Sequence, residues 1–241
     1  MGRGRAANYG DQREMILARA AELFARGGYP GTSMNQVAEA CGLSKATLYH
    51  YYRDKDEMLV SIADEHVSGL VELVKSVEKD PSVAPARRLE TLITRFLLEY
   101  ADAQNAHRVL TEDVKFLDER HRTLIVDKER VVVRGFAEAI AIREPALKGA
   151  HLDKPVAMLL FGMLNWLFTW LKPGGRLSHA TLAPIVCELF FKGLTGLAES
   201  SGGKKAAAVS AKHRSANALP SPVPKKVRTH SDRRGAGKKQ N

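Results

Sequence analysis

Residues 32–55 constrain the fold more than any other part of the chain, because they read as two short helices joined by a glycine turn. Ser33 is followed three residues later by Gln36, a capping-box pattern that predicts the start of the first short helix. Gly42 stands where the chain must reverse, and glycine adopts positive φ at least cost. Ser44 then predicts the N-cap of the second helix. Together these signals predict a helix-turn-helix unit.

The two faces of the second predicted helix differ in chemistry. Leu48 and Tyr52 lie four residues apart, which predicts that one face is anchored against neighbouring helices. The opposite face carries side chains suited to bases and phosphates, namely Lys45, Ala46, Thr47, Tyr49 and His50. This mixture predicts a recognition helix for the major groove of DNA. The alternative is a helical hairpin packed for structure alone, which explains Leu48 but not the polar face.

Residues 13–27 supply a third, supporting helix, because apolar side chains recur there at helical spacing and two glycines end the segment. The chain then carries Ala-Ala-Glu-Leu-Phe, Gly-Tyr-Pro-Gly-Thr-Ser-Met and Gly-Leu-Ser-Lys-Ala-Thr-Leu-Tyr-His-Tyr-Tyr, followed by Lys55 and Leu59. In order and spacing these parts resemble the TetR/AcrR family of bacterial transcriptional regulators over about residues 13 to 60. Cys41 stands where the family usually has a small apolar residue, and Tyr52 where it usually has phenylalanine.

The resemblance implies an all-helical homodimer whose three N-terminal helices bind a palindromic operator, usually as a repressor that a small-molecule effector releases. By motif position, Ser33 is expected to contact phosphate, and Asn35 and Lys45 to face the groove. Ala46 is expected to touch bases sterically. The remaining expected contacts, to the DNA backbone or neighbouring bases, are Thr47, Tyr49, His50, Tyr51 and Lys55.

From Lys55 onward the apolar residues recur at three and four, without a strand signal, and prolines fall between the helical stretches. The pattern predicts six further helices, at 55–78, 85–103, 106–116, 119–142, 155–171 and 179–198. Pro184 implies that the last of these begins later or has a distorted first turn. The chain is therefore predicted to be all-α, with about nine helices. Three parts are expected: an N-terminal arm and DNA-binding domain at 1–54, a helical effector-binding and dimerisation domain at 55–198, and a basic disordered tail at 199–241.

The predicted helix at 155–171 is apolar nearly all round and must be covered on several sides. The final helix adds an apolar stripe of Ile185, Leu189, Phe190, Leu194 and Leu197. Two such helices from each subunit form a four-helix bundle in the dimer that the family implies. Two symmetric heads would then meet two operator half-sites on one side of the duplex.

Aromatic side chains of the body are candidates for the wall of an effector cavity, although ordinary core packing is the commoner role of buried aromatic residues in a helical bundle. The candidate ligand contacts are Phe96, Tyr100, Phe116, Phe161, Asn165, Trp166 and Trp170. Asn165 is included because a lone amide in an apolar run needs a hydrogen-bond partner, which can be a carbonyl, its symmetry mate or a ligand.

Residues 161–178 resemble the C-terminal helices of a TetR branch that controls fatty-acid, steroid or aromatic-acid catabolism. That resemblance implies release from DNA by an acyl-coenzyme A, a long apolar cleft and basic residues near its mouth. The available arginines are Arg88, Arg95, Arg122, Arg134 and Arg176, which can equally be solvated or paired with acids. The alternative within the family is a repressor of multidrug type or with another lipophilic effector.

The net charge of +10 is concentrated at the C-terminus, where residues 200–241 hold eleven Lys/Arg and one acid, Asp232. Residues 1–199 carry 26 charges of each sign, so the overall charge says little about DNA binding by the head. The tail has almost no large apolar residue and is expected to be disordered. It can add salt-dependent attraction to phosphates or serve only as a solubilising extension, and truncation near Glu199 separates these by the salt slope of affinity.

Other classes of protein are less consistent with the sequence. It contains no Gly-x-Ser-x-Gly elbow, phosphate-binding glycine loop or His-Glu-x-x-His, so an enzyme is not expected. The two cysteines, Cys41 and Cys187, are far apart and no metal-ligand spacing occurs, so no metal or other cofactor is expected. No signal region is recognised and the apolar run 155–171 is too short to span a bilayer, which predicts a cytoplasmic protein without membrane contact. A sequence-independent basic DNA-binding protein remains the rival hypothesis.

Overall fold

A computed structural model describes residues 3–172 and 174–202, and the side chains of residues 9–172 and 174–199. Over these residues the chain is entirely helical, without a β-strand. The ten α-helices are α1 Arg3–Gly27, α2 Met34–Ala40, α3 Lys45–Tyr51, α4 Lys55–Lys79, α5 Arg88–Asp102, α6 Gln104–Glu112, α7 Glu119–Arg143, α8 Pro145–Gly149, α9 Asp153–Asn165 and α10 His179–Gly202. Short 3-10 turns lie at Pro85–Arg87, Val114–Phe116 and Leu167–Thr169. The predicted basic tail lies outside the described residues, apart from its first few.

Helices α1 to α3 form the N-terminal head, and serine side chains cap the N-termini of α2 and α3 as the sequence predicts. The hydroxyl of Ser33 accepts a hydrogen bond from the backbone N–H of Gln36, whose side chain accepts one from the backbone of Ser33. Ser44 caps α3 in the same way, and Asp54 caps α4. Gly42, between α2 and α3, has a φ of +64°, a backbone conformation that only glycine adopts cheaply. The predicted capping box and glycine turn are confirmed.

The head shares a hydrophobic core with the first half of α4, with α6 and with Leu117 and Ile125. Its fully buried side chains include Ile16, Phe24, Leu48, Tyr52 and Met58. The second half of α4 packs into a different core, formed with α5, α7, α9 and α10. In that second core the rings of three phenylalanines meet edge to face, namely Phe96, Phe136 and Phe161. A single 25-residue helix thus contributes to both cores.

Several helix boundaries differ from the prediction. Helix α1 begins at Arg3, about three turns before residue 13, and α8 was not predicted. The predicted helix 155–171 ends at Asn165 and continues as a 3-10 turn. Helix α10 runs from His179 through Pro184 without a later start, and Ser178 caps it by accepting the backbone N–H of Thr181. A proline in the second turn removes one backbone donor, and the helix continues past it.

An apolar surface follows α9, the Leu167–Thr169 turn and α10. Its most exposed large side chains are Met158, Leu159, Trp166, Trp170, Ile185 and Leu189, between 46% and 69% exposed. By length and composition alone, residues 179–199 of α10 would be long and apolar enough to cross a membrane, with a third of that window buried. One such helix is weak evidence for a membrane span, because core helices of soluble proteins have the same composition.

Candidate nucleic-acid interface and effector cavity

The orientation of α3 is fixed by its buried face. Leu48 and Tyr52 are fully buried against the head core. The hydroxyl of Tyr52 accepts a hydrogen bond from Nε of Arg13 on α1 at 2.9 Å, and the Arg13 guanidinium lies over the ring, 4.9 Å from its centre. The opposite face of α3 therefore points away from the protein.

That outward face carries the predicted reading side chains. Lys45, Ala46, Thr47, Tyr49 and His50 are all exposed. Lys45 Nζ lies 5.8 Å from the centre of the Tyr49 ring, one helical turn away. Because the side chain of Ala46 is a single methyl group, the helix backbone can approach a base pair closely at this position. The surface presents a cation, hydroxyl groups and an imidazole to solvent.

The predicted contacts outside α3 fall into two groups. Ser33 and Asn35 are exposed at the start of α2, next to the reading face in sequence and structure. Lys55, predicted to bind phosphate, is instead half-buried, and its Nζ donates to the carbonyl oxygens of Tyr29 and Thr32 at 2.8 and 2.9 Å. The same ammonium lies 4.3 Å from the centre of the Tyr29 ring. Lys55 therefore holds the loop that leads into α2.

Tyr9 is an exposed residue of this surface that the sequence did not predict. The extra turns of α1 bring its ring onto that of Tyr51, with centroids 4.7 Å apart, and edge-on to His50 at 6.2 Å. Tyr51 itself is half-buried by this contact. The sequence before residue 13 is polar and shows no apolar periodicity, so it did not predict a helix there. The position of Tyr9 on this surface follows only from how α1 lies against α3.

A cavity of about 750 Å³ lies in the body of the protein, between α4, α5, α6, α7 and α9. Three of the seven predicted ligand contacts line it: Tyr100, Phe161 and Asn165. Much of the remaining wall is aliphatic, from Val67, Leu70, Leu110, Val114, Val126, Val132, Val133 and Met158. A volume of this size lies within the range of small-molecule pockets, about 300 to 1,000 Å³.

The other four predicted ligand contacts do not line this cavity. Phe96 is completely buried behind the wall, against Phe136. Phe116 is stacked on Tyr29 of the head, with ring centroids 5.6 Å apart. Trp166 and Trp170 are on the exposed apolar surface, 66% and 49% exposed. Trp166 and Trp170 belong to a segment that is apolar on all sides of the predicted helix, so helical periodicity could not distinguish inward from outward positions there.

Four basic side chains also belong to the cavity lining. Lys115, Arg122, Arg130 and Lys154 line it and are exposed to solvent. The fifth charged lining residue is Glu129, half-buried, and burial raises the pKa of its carboxyl. Among the five arginines considered from sequence, Arg122 alone belongs to the cavity lining. Arg88 donates to a backbone carbonyl and Arg95 pairs with Asp80, while Arg134 and Arg176 are exposed elsewhere.

Two buried histidines lie beside the cavity, which the sequence did not predict because they are 41 residues apart. His66 Nε2 and His107 Nδ1 are separated by 3.3 Å, a hydrogen-bond distance. Burial lowers the pKa of His66 to about 4, and lowers that of His107, which also faces His66 and His179, to about 3. Both rings are therefore neutral at pH 7. In the part of the chain that the structure describes, no cluster of three or more acids, histidines or cysteines could hold a metal.

The segment after α6 touches both the cavity and the head. Val114 and Lys115 line the cavity, while Phe116 of the same 3-10 turn stacks on Tyr29. Burial raises the pKa of the Asp113 carboxyl, and the neighbouring Tyr29 backbone partly offsets this rise. Tyr29 is held in turn by Lys55 and by a hydrogen bond from its hydroxyl to Asp56. The cavity and the loop before α2 are thus joined by direct contacts.

Helix α3 has one buried and one exposed polar face, and it follows the short capped helix α2. These two helices belong to a helical protein with an internal cavity. This combination defines a DNA-binding regulator of the helix-turn-helix class. Residues 16–62 match the model for bacterial regulatory proteins of the tetR family, and residues 82–194 match the tetracyclin repressor-like C-terminal domain. The chain belongs to the TetR family of transcriptional regulators, which are DNA-binding proteins and not enzymes.

Known relatives share the fold along most of their length. A TetR-family regulator from Bordetella parapertussis 12822 is 33% identical, with a TM-score of 0.69, covering 74% of this chain and 93% of that chain. AibR, solved in complex with isovaleryl coenzyme A and operator DNA, is 27% identical with a TM-score of 0.63, covering 74% and 98%. The repressor KstR2 of Mycolicibacterium smegmatis is 23% identical over 202 residues, 81% of this chain and 95% of its own length.

Proposed function

We propose that this protein is a cytoplasmic, homodimeric repressor that binds a palindromic operator and is released by an acyl-coenzyme A thioester. The observation that carries the proposal is the pairing of an exposed polar reading face on α3 with a 750 Å³ cavity, joined through the α6 segment and α4. The relatives support both halves, because KstR2 is described as a repressor and AibR was solved with an acyl thioester and operator DNA.

The operator contacts proposed for the head separate into reading and positioning roles. Lys45 and Ala46 face the groove, where a lysine can pair with guanine and a small side chain allows close approach. Asn35 is proposed to face the groove as well. Phosphate and neighbouring-base contacts are proposed for Ser33, Thr47, Tyr49, His50 and Tyr51. For Lys55 the contacts to Tyr29 and Thr32 support a role in holding the loop, with phosphate contact as an additional role of the same ammonium.

The dimer interface is proposed on the apolar surface of α9 and α10. Side chains as large as Trp166, Leu159 and Leu189 are 63–69% exposed in the single chain, and monomeric soluble proteins rarely expose such a continuous patch. A twofold interface between these helices makes a four-helix bundle and sets the two heads symmetrically. Leu189→Glu is expected to give monomers in analytical ultracentrifugation, whereas a dimer that persists would place the interface elsewhere.

The chemistry of the cavity supports an amphiphilic, anionic effector. Its wall is largely aliphatic, while Lys115, Arg122, Arg130 and Lys154 offer positive charge on exposed side chains. An acyl chain can occupy the apolar interior, and the phosphates of coenzyme A can meet the basic side chains. A multidrug-type or other lipophilic effector without negative charge, the alternative, would leave Lys115, Arg122 and Lys154 without a role in binding, while Arg130 already pairs with Asp127 at 2.7 Å.

The proposed release mechanism is a shift between two arrangements of the dimer. An effector can change the operator affinity only through a difference in its own affinity for the two arrangements. The contacts of Asp113 and Phe116 with Tyr29 support a path in which a ligand that moves the α6 segment also moves the loop before α2. A small tilt of α4 accompanies this movement and changes the spacing of the two recognition helices.

Footprinting on fragments selected from the source genome tests the first half of the proposal. A protected palindrome of two half-sites is expected, whereas uniform protection would favour the sequence-independent rival. Lys45→Ala should weaken operator binding more than binding to random DNA. Titration of the operator complex with isovaleryl coenzyme A tests the second half, and neither release nor a thermal shift would reject this thioester as an effector.

A further inference from the structure

Glu129 is an acidic side chain on the cavity wall, in a lining whose other charged residues are all basic. It is on α7, about one turn from Val126 and Val133, which line the cavity with it. The residue is half-buried, and burial raises the pKa of its carboxyl. Burial and the charge of Glu129 also raise the pKa of the Tyr100 hydroxyl, which is on a residue only 3% exposed. The carboxylate therefore lies near a buried part of the cavity wall.

The hydroxyl groups of the cavity lining already donate to other partners. The hydroxyl of Tyr100 donates to Oδ1 of Asn165 at 3.0 Å. The hydroxyl of Thr111 donates to the backbone oxygen of His107 at 2.9 Å. Because a hydroxyl group has a single proton, neither of them can also donate to Glu129.

The basic residues of the lining do not pair with Glu129 either. Arg130 pairs with Asp127 of the same helix at 2.7 Å. Within the described part of the chain, the Glu129 carboxylate has no ion pair, and no neighbouring charge offsets the effect of burial on its pKa. The buried side-chain atoms without a partner, among the described residues, are Nε of Arg88, Nε2 of His107 and Nε of Arg143. The Glu129 oxygens are not among these enclosed atoms, so a molecule that enters the cavity can reach them.

An accessible carboxylate in a cavity limits which ligands can fill that cavity. A ligand that displaces water from the carboxylate must supply a hydrogen-bond donor in return, or it loses affinity. A positively charged donor is disfavoured here, because four basic residues and a single acid line the cavity. The remaining donors are uncharged N–H and O–H groups.

We propose that the carboxylate of Glu129 accepts a hydrogen bond from an uncharged N–H or O–H group of the effector. Glu129 is then a specificity-determining residue, because a molecule of the same shape without this donor would leave the carboxylate unpaired in the filled cavity. The inference rests on the cavity being the effector site, as in the proposed function, and adds a group that the protein recognises there. In an acyl-coenzyme A, the amide N–H of the cysteamine unit is the donor nearest the thioester.

Two isomers that differ in the donor test the proposal by isothermal titration of the full chain. 1-Octanol carries an O–H group, and 1-methoxyheptane has the same atoms with an ether oxygen in its place. The ratio of their affinities should favour 1-octanol about tenfold more in wild type than in Glu129→Leu, as expected for a hydrogen bond to a charged group. Glu129→Gln, which keeps an uncharged oxygen acceptor, should give an intermediate ratio. The same ratio in wild type and Glu129→Leu, or no binding of 1-octanol to wild type, would overturn the proposal.

Glu138→Gln is the matched control for the loss of charge. Glu138 is on α7 as well, but it is exposed and does not line the cavity. The ratio for the two isomers should therefore be unchanged in Glu138→Gln, and circular dichroism should show that each variant is folded. An equal loss of preference in Glu138→Gln and Glu129→Gln would make the effect one of overall charge and overturn the assignment to Glu129.

Octylammonium tests whether the carboxylate selects a cation instead. Wild type should bind it more weakly than 1-octanol, because the lining is mostly basic. Tighter binding of octylammonium in wild type, lost in Glu129→Gln, would overturn the uncharged donor.

A thioester pair relates the proposal to the effector. S-Isovaleryl-N-acetylcysteamine carries a thioester and one amide N–H, and its analogue with an ester oxygen in place of that N–H has no donor. Wild type should prefer the amide about tenfold more than Glu129→Leu does. If isovaleryl coenzyme A neither binds nor releases the operator while the preference for 1-octanol depends on Glu129, only the proposed effector fails. If isovaleryl coenzyme A releases the operator and neither preference depends on Glu129, the inference about Glu129 fails and the proposed function stands.

Discussion

Gly135 tests the contact between α7 and α4 directly. A Cβ added at this position would lie 2.3 Å from Cγ1 of Val74 and 3.1 Å from Oε1 of Glu78, well inside normal contact distances of about 3.5 Å. Forcing a methyl group into a packed interior costs about 1 to 3 kcal/mol. Replacing glycine by alanine inside a helix stabilises it by about 0.5 to 1 kcal/mol. Gly135→Ala is therefore expected to lower the unfolding free energy, by up to about 2.5 kcal/mol.

Gly69 is the matched control, because it is in the middle of α4, is exposed and would have no atom within 4 Å of an added Cβ. Gly69→Ala should raise the unfolding free energy by about 0.5 to 1 kcal/mol. The difference between the two variants isolates the packing cost, since the helix propensity gain is common to both. Urea denaturation followed by circular dichroism at several protein concentrations provides the measurement.

The side chain that would clash with an alanine at position 135, Val74, can also be shortened. Val74→Ala alone should destabilise the protein, because Val74 is almost fully buried. In Gly135→Ala/Val74→Ala the new methyl group gains room, so the double variant should lose at least about 0.5 kcal/mol less than the sum of the single variants. Equal shifts for the two glycine variants, or additive losses in the double variant, would refute the close contact between α4 and α7.

Three further predictions concern the head and the histidines. Tyr9→Ala should weaken operator binding several-fold in fluorescence anisotropy while changing the unfolding free energy by no more than about 0.5 kcal/mol, because the ring is at the surface; an unchanged affinity would remove Tyr9 from the interface. Lys55→Met should lower the unfolding free energy by about 1 to 3 kcal/mol, because two hydrogen bonds from a charged group are lost. It should weaken binding to operator DNA and to random DNA by similar factors. Weaker binding to operator DNA alone would instead make Lys55 a residue that reads the base sequence. The free energy of unfolding should fall as the pH drops below about 6.5, because the unfolded chain then protonates His66 and His107. The folded chain does not, since the pKa values of these two histidines are lowered to about 4 and 3. The difference between the urea midpoints at pH 7 and at pH 5.5 should therefore be smaller in His107→Phe than in wild type.

The head could be predicted from the sequence because its signals are local. The Ser33 and Ser44 caps and the turn at Gly42 each depend on residues within three or four positions. The burial of Leu48 and Tyr52 followed from their spacing alone. The beginning of α1 was missed, because its first turns are polar and its position depends on a tertiary contact between Tyr9 and Tyr51. The bonds of Lys55 to the loop before α2 were also missed, because its partners are 23 and 26 residues away.

The cavity depends on long-range contacts and was predicted only in part. Tyr100 and Asn165 are 65 residues apart, and the two histidines are 41 apart, so no sequence window contains either pair. Aromatic content suggested Trp166 and Trp170 as ligand contacts, yet both are outside the cavity because an all-round apolar segment gives no direction to its faces. Which apolar residues face a ligand and which face solvent is decided by the packing of neighbouring helices.

Because α4 supplies side chains to both hydrophobic cores, the functional boundary near residue 55 is not a boundary for folding. A fragment ending at residue 54 would lack Met58, Leu59 and Ile62, which fill the space beneath α1 and α3. A chimera that exchanges recognition helices with another regulator should therefore keep the first half of α4 with the transplanted head, and melt in one cooperative step.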